Sequence, residues 1–475
     1  MQYDNPMELD SVATNTTPTE SRTRSPLRAA IGYVLMVVVS VGAFLLIRRQ
    51  GEMLVAPVAG NAGPSLVTAP TPDIFLHVLV ALTAIIITGQ VLARLFARLG
   101  QPAVIGEVVA GILLGPSLLG TQLSALILPP SVGPYLGVIA QLGVVLYMFL
   151  VGLELNPARL KHRTRATLAT SHASILVPFI LGALLALLLY PQLSDRSVPF
   201  TSFALFIGVA MSITAFPVLA RILTDYRLTR TNLGVIALSC AAVDDVTAWC
   251  LLAFVVGVAK AQVGQGLFVV AGALVFIALI LLVARPALRR VALRWETQKP
   301  SVGLMTVVFV ALLLSALTAE AIGIHAIFGA FLLGVVVPHD SALARAFTQQ
   351  LRHVVTILLL PAFFAFTGMR TRIDLLSAPA LWLLCGLIIV TAIAGKFGGT
   401  FAAARLTGLR WREAALLGVL MNTRGLMELI VLNVGLELGV ISPTLFAMMV
   451  LMALVTTMLT SPLLRILKLQ TIPEE

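Results

Sequence analysis

Charge is what this chain has least of. Lys, Arg, Asp and Glu make up 11% of its 475 residues, whereas 59% are hydrophobic and the mean hydropathy is +1.01. A water-soluble domain runs nearer to about 25% charged, so a soluble globular fold is excluded and a polytopic membrane protein is implied. Cysteine is nearly absent as well. Cys240, Cys250 and Cys385 all fall inside apolar runs with no ligand-like spacing, which excludes a disulfide framework or a zinc site. Nucleotide-binding signatures are missing too. AGKFGGT (394–400) lacks the first glycine of a phosphate loop and has Phe397 after the lysine, and no dinucleotide fingerprint follows a strand pattern. No metal-ligand cluster is visible, and no cofactor is expected. The formal net charge of +11 is not gathered on one amphipathic element, so nucleic acid is not an expected partner.

What the chain has is apolar length. Fourteen runs are long enough, or nearly so, to span a bilayer at about 17–25 residues each. They lie near 29–47, 73–97, 102–120, 134–155, 165–190, 200–223, 231–258, 266–288, 301–319, 324–338, 353–370, 379–404, 411–436 and 442–467. The fold class is therefore all-α, and the third and tenth runs are short and glycine-rich. The stretch 1–28 reads as a polar cytosolic tail, 29–72 as an additional N-terminal helix with an external loop, 73–467 as the transmembrane domain, and 468–475 as a short cytosolic tail. With the N-terminus in the cytosol, 24 of the 32 lysines and arginines fall on cytosolic segments and six on external ones, so the positive-inside rule places both termini inside the cell membrane. Arg48 and Arg49 are the exceptions.

The few charges inside the runs are the informative ones. Asp244 and Asp245 sit mid-run in TNLGVIALSCAAVDDVTAWCLLAFVVGVA (231–259). Each would cost about 2.5–3.5 kcal/mol as a charge at a helix centre, so the pair should line something polar. A deep carboxylate that trades a proton for a cation is the core of an ion-coupled transporter. The sixth run contains Ser212, Thr214 and a central Pro217, and it should break near mid-membrane. Seven runs later, the thirteenth carries Asn422, Thr423, Arg424, Gly425 and Glu428 at its centre. An odd separation makes the two cross in opposite senses, which points to inverted repeats with two broken, crossing helices.

Roles follow from spacing. Asp245 is the expected cation- and proton-binding carboxylate, with main-chain carbonyls near the break and the hydroxyls of Ser212 and Thr214 as further oxygens. Successive helical residues point about 100° apart, so Asp244 faces elsewhere and is expected to pair with Lys396. Arg424 and Glu428, four apart, should neutralise each other as a structural pair at the crossing. Glu107 reads as a packing or gating acid. Rival classes are an intramembrane aspartyl protease, which needs two aspartates on separate helices, and a cation channel, which needs a carbonyl filter or an acidic ring.

The strings GVAMSITAFPVLARIL, AAVDDVTAW, GIHAIFGAFLLGVVVP, AGKFGGTFAAARL and MNTRGLMELIVLNVGLELGVIS resemble the monovalent cation:proton antiporter-2 family, especially plant cation/proton exchangers and their bacterial relatives. QPAVIGEVVAGILLGPSLLG and LYMFLVGLELNP resemble the family's early helices, and the likeness runs from about 73 to 467. The resemblance implies thirteen family helices, an elevator motion, a homodimer in the lipid bilayer, and exchange of Na⁺ or K⁺ for H⁺. It implies the cation- and proton-binding role for Asp245, and an electrogenic type from Asp244 paired with Lys396.

Overall fold

The computed structural model describes residues 26–54, 74–154, 165–228, 231–260, 266–294, 301–338 and 340–468. Of the expected segments, 1–25, most of the 48–72 loop and 469–475 lie outside the described residues. Helix α1 (Pro26–Gly51) precedes α2 (Ile74–Arg98), the short α3 (Ala103–Leu114) and α4 (Pro116–Ile127), then α5 (Gly133–Glu154) and α6 (Arg165–Leu193). Next come α7 (Phe200–Ser212), α8 (Phe216–Asp225) and α9 (Asn232–Lys260), which carries the paired aspartates. A π-helical turn joins α10 (Gly266–Leu279) to α11 (Arg285–Arg294), and α12 (Val302–Ile322) leads to α13 (Ala326–Val336). Two more π-helical turns join α14 (Ala342–Val354) to α15 (Leu360–Arg370) and α16 (Pro379–Ile393) to α17 (Gly399–Leu406). The chain closes with α18 (Trp411–Met421), α19 (Leu426–Glu437) and α20 (Pro443–Lys468). Among the described residues, those up to Gly42 form one compact unit and those from Ala43 onward a second.

Every apolar run is met by helix. Ten stretches among the described residues are long and apolar enough to cross a membrane, and α18 with α19, bent by 44° at their break, make an eleventh. The remaining three runs yield the short apolar helices α3, α7 and α13. The chain is a multi-pass, all-helical membrane protein.

Within the second unit the helices gather into two groups. α5 packs on α13 and α15, α15 on α3, and α3 on α2. Separately, α6 packs on α7, α9, α16 and α17, while α18 and α19 pack on α20. Glycines permit the closest approaches. A Cβ on Gly152 of α5 would lie 2.5 Å from the Phe331 carbonyl oxygen of α13, and one on Gly334 would lie 2.4 Å from the Phe149 oxygen. Small residues matter here because lipid tails are as apolar as leucine, so helix association relies on close packing and hydrogen bonds.

The two broken helices cross where the sequence places their polar residues. α7 ends at Ser212 and α8 begins at Phe216, so the break lies just ahead of Pro217. A proline nitrogen has no hydrogen for the carbonyl four residues back, here Ile213, which is why the helix opens there. The extended segment between them donates from the Ala215 amide to the Thr423 carbonyl of the other break, at 3.0 Å.

This break leaves α7 with carbonyls that have no helical partner in a region without bulk water. Arg424 supplies donors. Its guanidinium bonds the Ala210 and Met211 carbonyls at 2.8 and 2.7 Å and the Glu428 carboxylate at 2.8 Å, with both side chains fully buried. The Arg424 amide and carbonyl are both met by the Thr457 hydroxyl of α20. A cation at a helix C-terminus also opposes the negative end of the helix dipole. Arg424→Ala should therefore cost about 3–5 kcal/mol of stability, because Glu428 and two carbonyls are left unpaired in the interior. Thermal unfolding in detergent checks this. Arg424→Ala combined with Glu428→Ala should be destabilised by clearly less than the sum of the two single changes.

Candidate functional site

Both aspartates of α9 are inside the protein, at 0% and 1% exposure, yet their surroundings differ sharply. Asp244 is saturated with donors. Its Oδ1 accepts from Ser171 Oγ at 3.0 Å, and its Oδ2 faces Ser174 Oγ at 2.8 Å, Thr214 Oγ1 at 2.9 Å and Lys396 Nζ at 3.0 Å. Asp245 has a backbone hydrogen bond from Phe216, the first residue of α8, while its Oδ1 has no hydrogen-bond partner among the described residues. The 100° step between neighbours turns one carboxylate to the lysine and the other to the start of α8. A carboxylate at a helix N-terminus meets the positive end of the helix dipole.

Three local features place Lys396. It lies on the π-helical turn Ala394–Gly398, an irregularity that shifts side-chain direction within a helix. Gly395 and Gly399 let this turn press against α6: a Cβ on Gly395 would lie 2.8 Å from Pro178 Cα, and one on Gly399 would lie 2.9 Å from the Ala173 oxygen. Pro178, lacking an amide hydrogen, releases the carbonyl of Ser174 four residues before it. Lys396 Nζ occupies that carbonyl at 2.9 Å, and it also bonds the Ser212 carbonyl at the end of α7. The helical partner of Ser212 would be the Phe216 amide, which is spent on Asp245 instead. Lysine and arginine together therefore cap one broken helix end, and Lys396, fully buried, does not snorkel to the interface.

Two sequence expectations are revised by this geometry. Ser212 and Thr214 were expected to offer hydroxyls beside Asp245. The Ser212 hydroxyl instead lies within reach of the backbone carbonyls of Gly208 and Ile175, at 2.7 and 2.9 Å, so its contribution to the site is its own carbonyl, on Lys396. The Thr214 hydroxyl lies on Asp244 and within 3.2 Å of the Met421 carbonyl. Serine and threonine hydroxyls readily back-bond to their own helix, which the apolar pattern does not reveal. Ser171 and Ser174 were missed. They are three apart on one face of α6, with a proline four after the second, a spacing that could have singled them out.

Two clefts lie at opposite ends of α19, each between the two helix groups. One, with room for about one water molecule, is lined by residues including Gln141, His325, Phe366, Asn433 and Glu437, and Arg370 of α15 ties to Asn433 and Glu437 at 3.2 and 3.1 Å. The other, no larger, is lined by Val104 and Ile105 of α3 together with Arg424, Gly425 and Thr457. Glu107, half-buried, is on the same α3.

The close contact of the lysine turn with α6 makes a sharp test. Gly395→Val should displace Lys396 and cost about 1–3 kcal/mol by overpacking. Gly398→Ala, next door but with nothing within 4 Å, should leave thermal stability unchanged or slightly raised.

Comparison with known proteins places this architecture. The family described as "Sodium/hydrogen exchanger, transmembrane" matches residues 73–467. The Na(+)/H(+) antiporter NhaS4 of Synechocystis is 46% identical over 395 residues, covering 82% of this chain and 96% of that protein. Cation/H(+) antiporter 20 of Arabidopsis thaliana is 39% identical over 402 residues, and K(+)/H(+) antiporter 1 of Saccharomyces cerevisiae is 36% identical over 384. Those alignments cover 81% and 78% of this chain but 48% and 44% of the relatives, so the chain spans about half the length of the plant and yeast proteins. The sodium proton antiporter MjNhaP1 of Methanocaldococcus jannaschii shares the fold, with a TM-score of 0.62 at 16% identity, covering 84% of this chain and 100% of that one. The chain thus belongs to the sodium/hydrogen exchanger family.

Proposed function

We propose that this protein is a secondary active antiporter that exchanges a monovalent cation, Na⁺ or K⁺, for protons across the cell membrane, electrogenically and by an elevator-type motion. In this reading 73–467 is the working domain, α1 is an additional N-terminal helix, both termini are cytosolic, and the unit in the bilayer is a homodimer. The observation that carries it is the unequal aspartate pair: one carboxylate saturated with donors, its neighbour with a bare oxygen at a helix break. The relatives named for Na⁺/H⁺, K⁺/H⁺ and cation/H⁺ antiport support it.

Asp245 carries the exchange. A monovalent cation needs several oxygens, and Asp245, with a free Oδ1 and a hydrogen bond from the Phe216 amide, offers a carboxylate at the helix start that directly follows the unwound 213–215 segment and its main-chain carbonyls. A proton and a cation cannot share that oxygen, so each expels the other. Asp244 and Lys396 supply the second charge. In the proton-loaded state Lys396 is an ammonium bridged to Asp244; arrival of the cation breaks the bridge and releases its proton. Two protons then leave for one cation entering, and the net charge moved is worth about 2.3 kcal/mol per 100 mV. Arg424 and Glu428 hold the crossing rigid. The clefts at the two ends of α19 support sliding of one helix group against the other. Adjacent aspartates on one helix do not form the facing pair of an aspartyl protease, and nothing in the geometry favours a channel.

Cation-driven proton flux in proteoliposomes tests the reading. Asp245→Asn, at matched protein levels, should reduce that flux by at least about a hundredfold, to background. Lys396→Gln should cut the cation-triggered current on supported membranes to below about a tenth of wild type while flux persists, because the second proton carrier is gone.

A further inference from the structure

The Glu437 end of α19 is tied to the other helix group by polar contacts that the exchange site does not use. Arg370, the last residue of α15, places one guanidinium nitrogen 3.2 Å from Asn433 Oδ1 and 3.1 Å from Glu437 Oε1, one turn apart on α19. Its charge stands 4.3 Å from the centre of the Phe366 ring, which favours that one placement. The Asn433 amide nitrogen donates to the buried Thr367 hydroxyl of α15 at 2.7 Å and to the Leu429 carbonyl of its own helix at 2.9 Å. Gln141 of α5 lies 3.4 Å from the Glu437 carboxylate.

Glu437 is badly placed for its own helix. It is the last residue of α19, where a carboxylate meets the negative end of the helix dipole, whereas Arg370 suits the end of α15. The partner that stabilises Glu437 is thus a cation on the opposite group. The other end of α19 is built differently. There the α3 side of the cleft is Val104, Ile105 and Val108, which can slide without giving up a hydrogen bond. Relative movement of the two groups must therefore break charged contacts at one end only.

We propose that Arg370, Asn433 and Glu437 form a latch that holds the external mouth between the two helix groups shut, and that releases each time the cation path opens outward. The inference rests on the exchange reading above, with its topology and sliding motion. The latched cleft has room for about one water molecule, too little for a hydrated cation to enter. The side chains of Arg370 and Glu437 are 31% and 28% exposed, so water can take over both charges once they part. The tie is therefore one that each turnover can break, and a half-exposed pair of this kind biases an equilibrium by about fivefold.

Releasing the latch should populate the outward-open arrangement, which two measurements read in right-side-out membrane vesicles. Ala140 of α5 lines the cleft at 1% exposure, so Ala140→Cys reports its opening to a membrane-impermeant maleimide, counted above the label taken without that cysteine. Adding Arg370→Gln or Glu437→Gln should raise the labelling rate about fivefold. In the same variants without the reporter, the KM for Na⁺ or K⁺ offered outside should fall by about the same factor, because a larger fraction of the protein is competent to bind. Arg370→Glu with Glu437→Arg restores opposite charges and should bring both readings back to within about twofold of the unlatched variants' parent. Labelling unchanged in both single variants overturns the proposal. So does labelling that rises with no fall in external KM, which would mark local loosening, and so does a swapped pair as open as the single variants. If Arg370→Gln fails to reach the membrane, Glu437→Gln carries the same test, since it keeps the size and hydrogen-bonding capacity of the side chain. Labelling needs no transport, so vesicles of the unaltered protein that exchange neither cation would contradict the exchange reading and not the latch.

Discussion

A helix broken inside a membrane leaves backbone groups with neither helical partners nor water, and the organisation of this protein follows from how those groups are met. The end of α7 exposes carbonyls at Ala210, Met211 and Ser212. Arg424 takes the first two and Lys396 the third. The start of α8 exposes the Phe216 amide, which goes to Asp245. Two cations on the negative end and a carboxylate on the positive end oppose the dipoles of the two half-helices. Glu428 and Asp244 then pair with the two cations at 2.8 and 3.0 Å. Asp245 is the carboxylate left over, and its bare oxygen is the chemical opportunity that the arrangement creates.

The same requirement reaches into the packing. Lys396 can stand on Ser174 because Pro178 frees that carbonyl, and because Gly395 and Gly399 allow the lysine turn to lie against α6. A larger residue at either glycine would hold the two helices apart. Close helix contact, helix irregularity and a buried ion pair are thus one feature seen at three scales. Burial of a charge pair is weak evidence of stability, since desolvation offsets much of the attraction. Here the more direct explanation of its presence is that a charged group inside a bilayer is tolerated where it does something.

Much of this was legible in the sequence because expensive residues advertise themselves. Asp244, Asp245, Lys396, Arg424 and Glu428 stand out against apolar runs, and the i, i+4 spacing of Arg424 and Glu428 correctly puts them in contact. Pro217 locates the first break, and the Asn422–Gly425 segment locates the second. The hydroxyls were harder to read. Ser212, Thr214, Ser171 and Ser174 are small, cheap in a membrane helix and common there, so their partners depend on the rotation of each helix about its axis. Rotation is set by packing, at positions such as Gly395 and Pro178, and the hydrophobic pattern of an almost uniformly apolar run carries no stripe from which to read it. The role of Pro178 likewise appears only when the carbonyl it frees is seen to have a visitor.

In the proposed cycle one cation exchanges for two protons through Asp245 and Lys396. The null point of flux in proteoliposomes measures this most directly, with membrane potential clamped to zero and the opposing cation gradient varied until net proton movement stops. Each tenfold gradient of either ion is worth about 1.4 kcal/mol. A tenfold proton gradient should be balanced by a cation gradient of about a hundredfold if two protons move per cation. Balance at about tenfold would show one-for-one exchange, and would leave Lys396 and Asp244 as scaffolding around a single proton-carrying carboxylate.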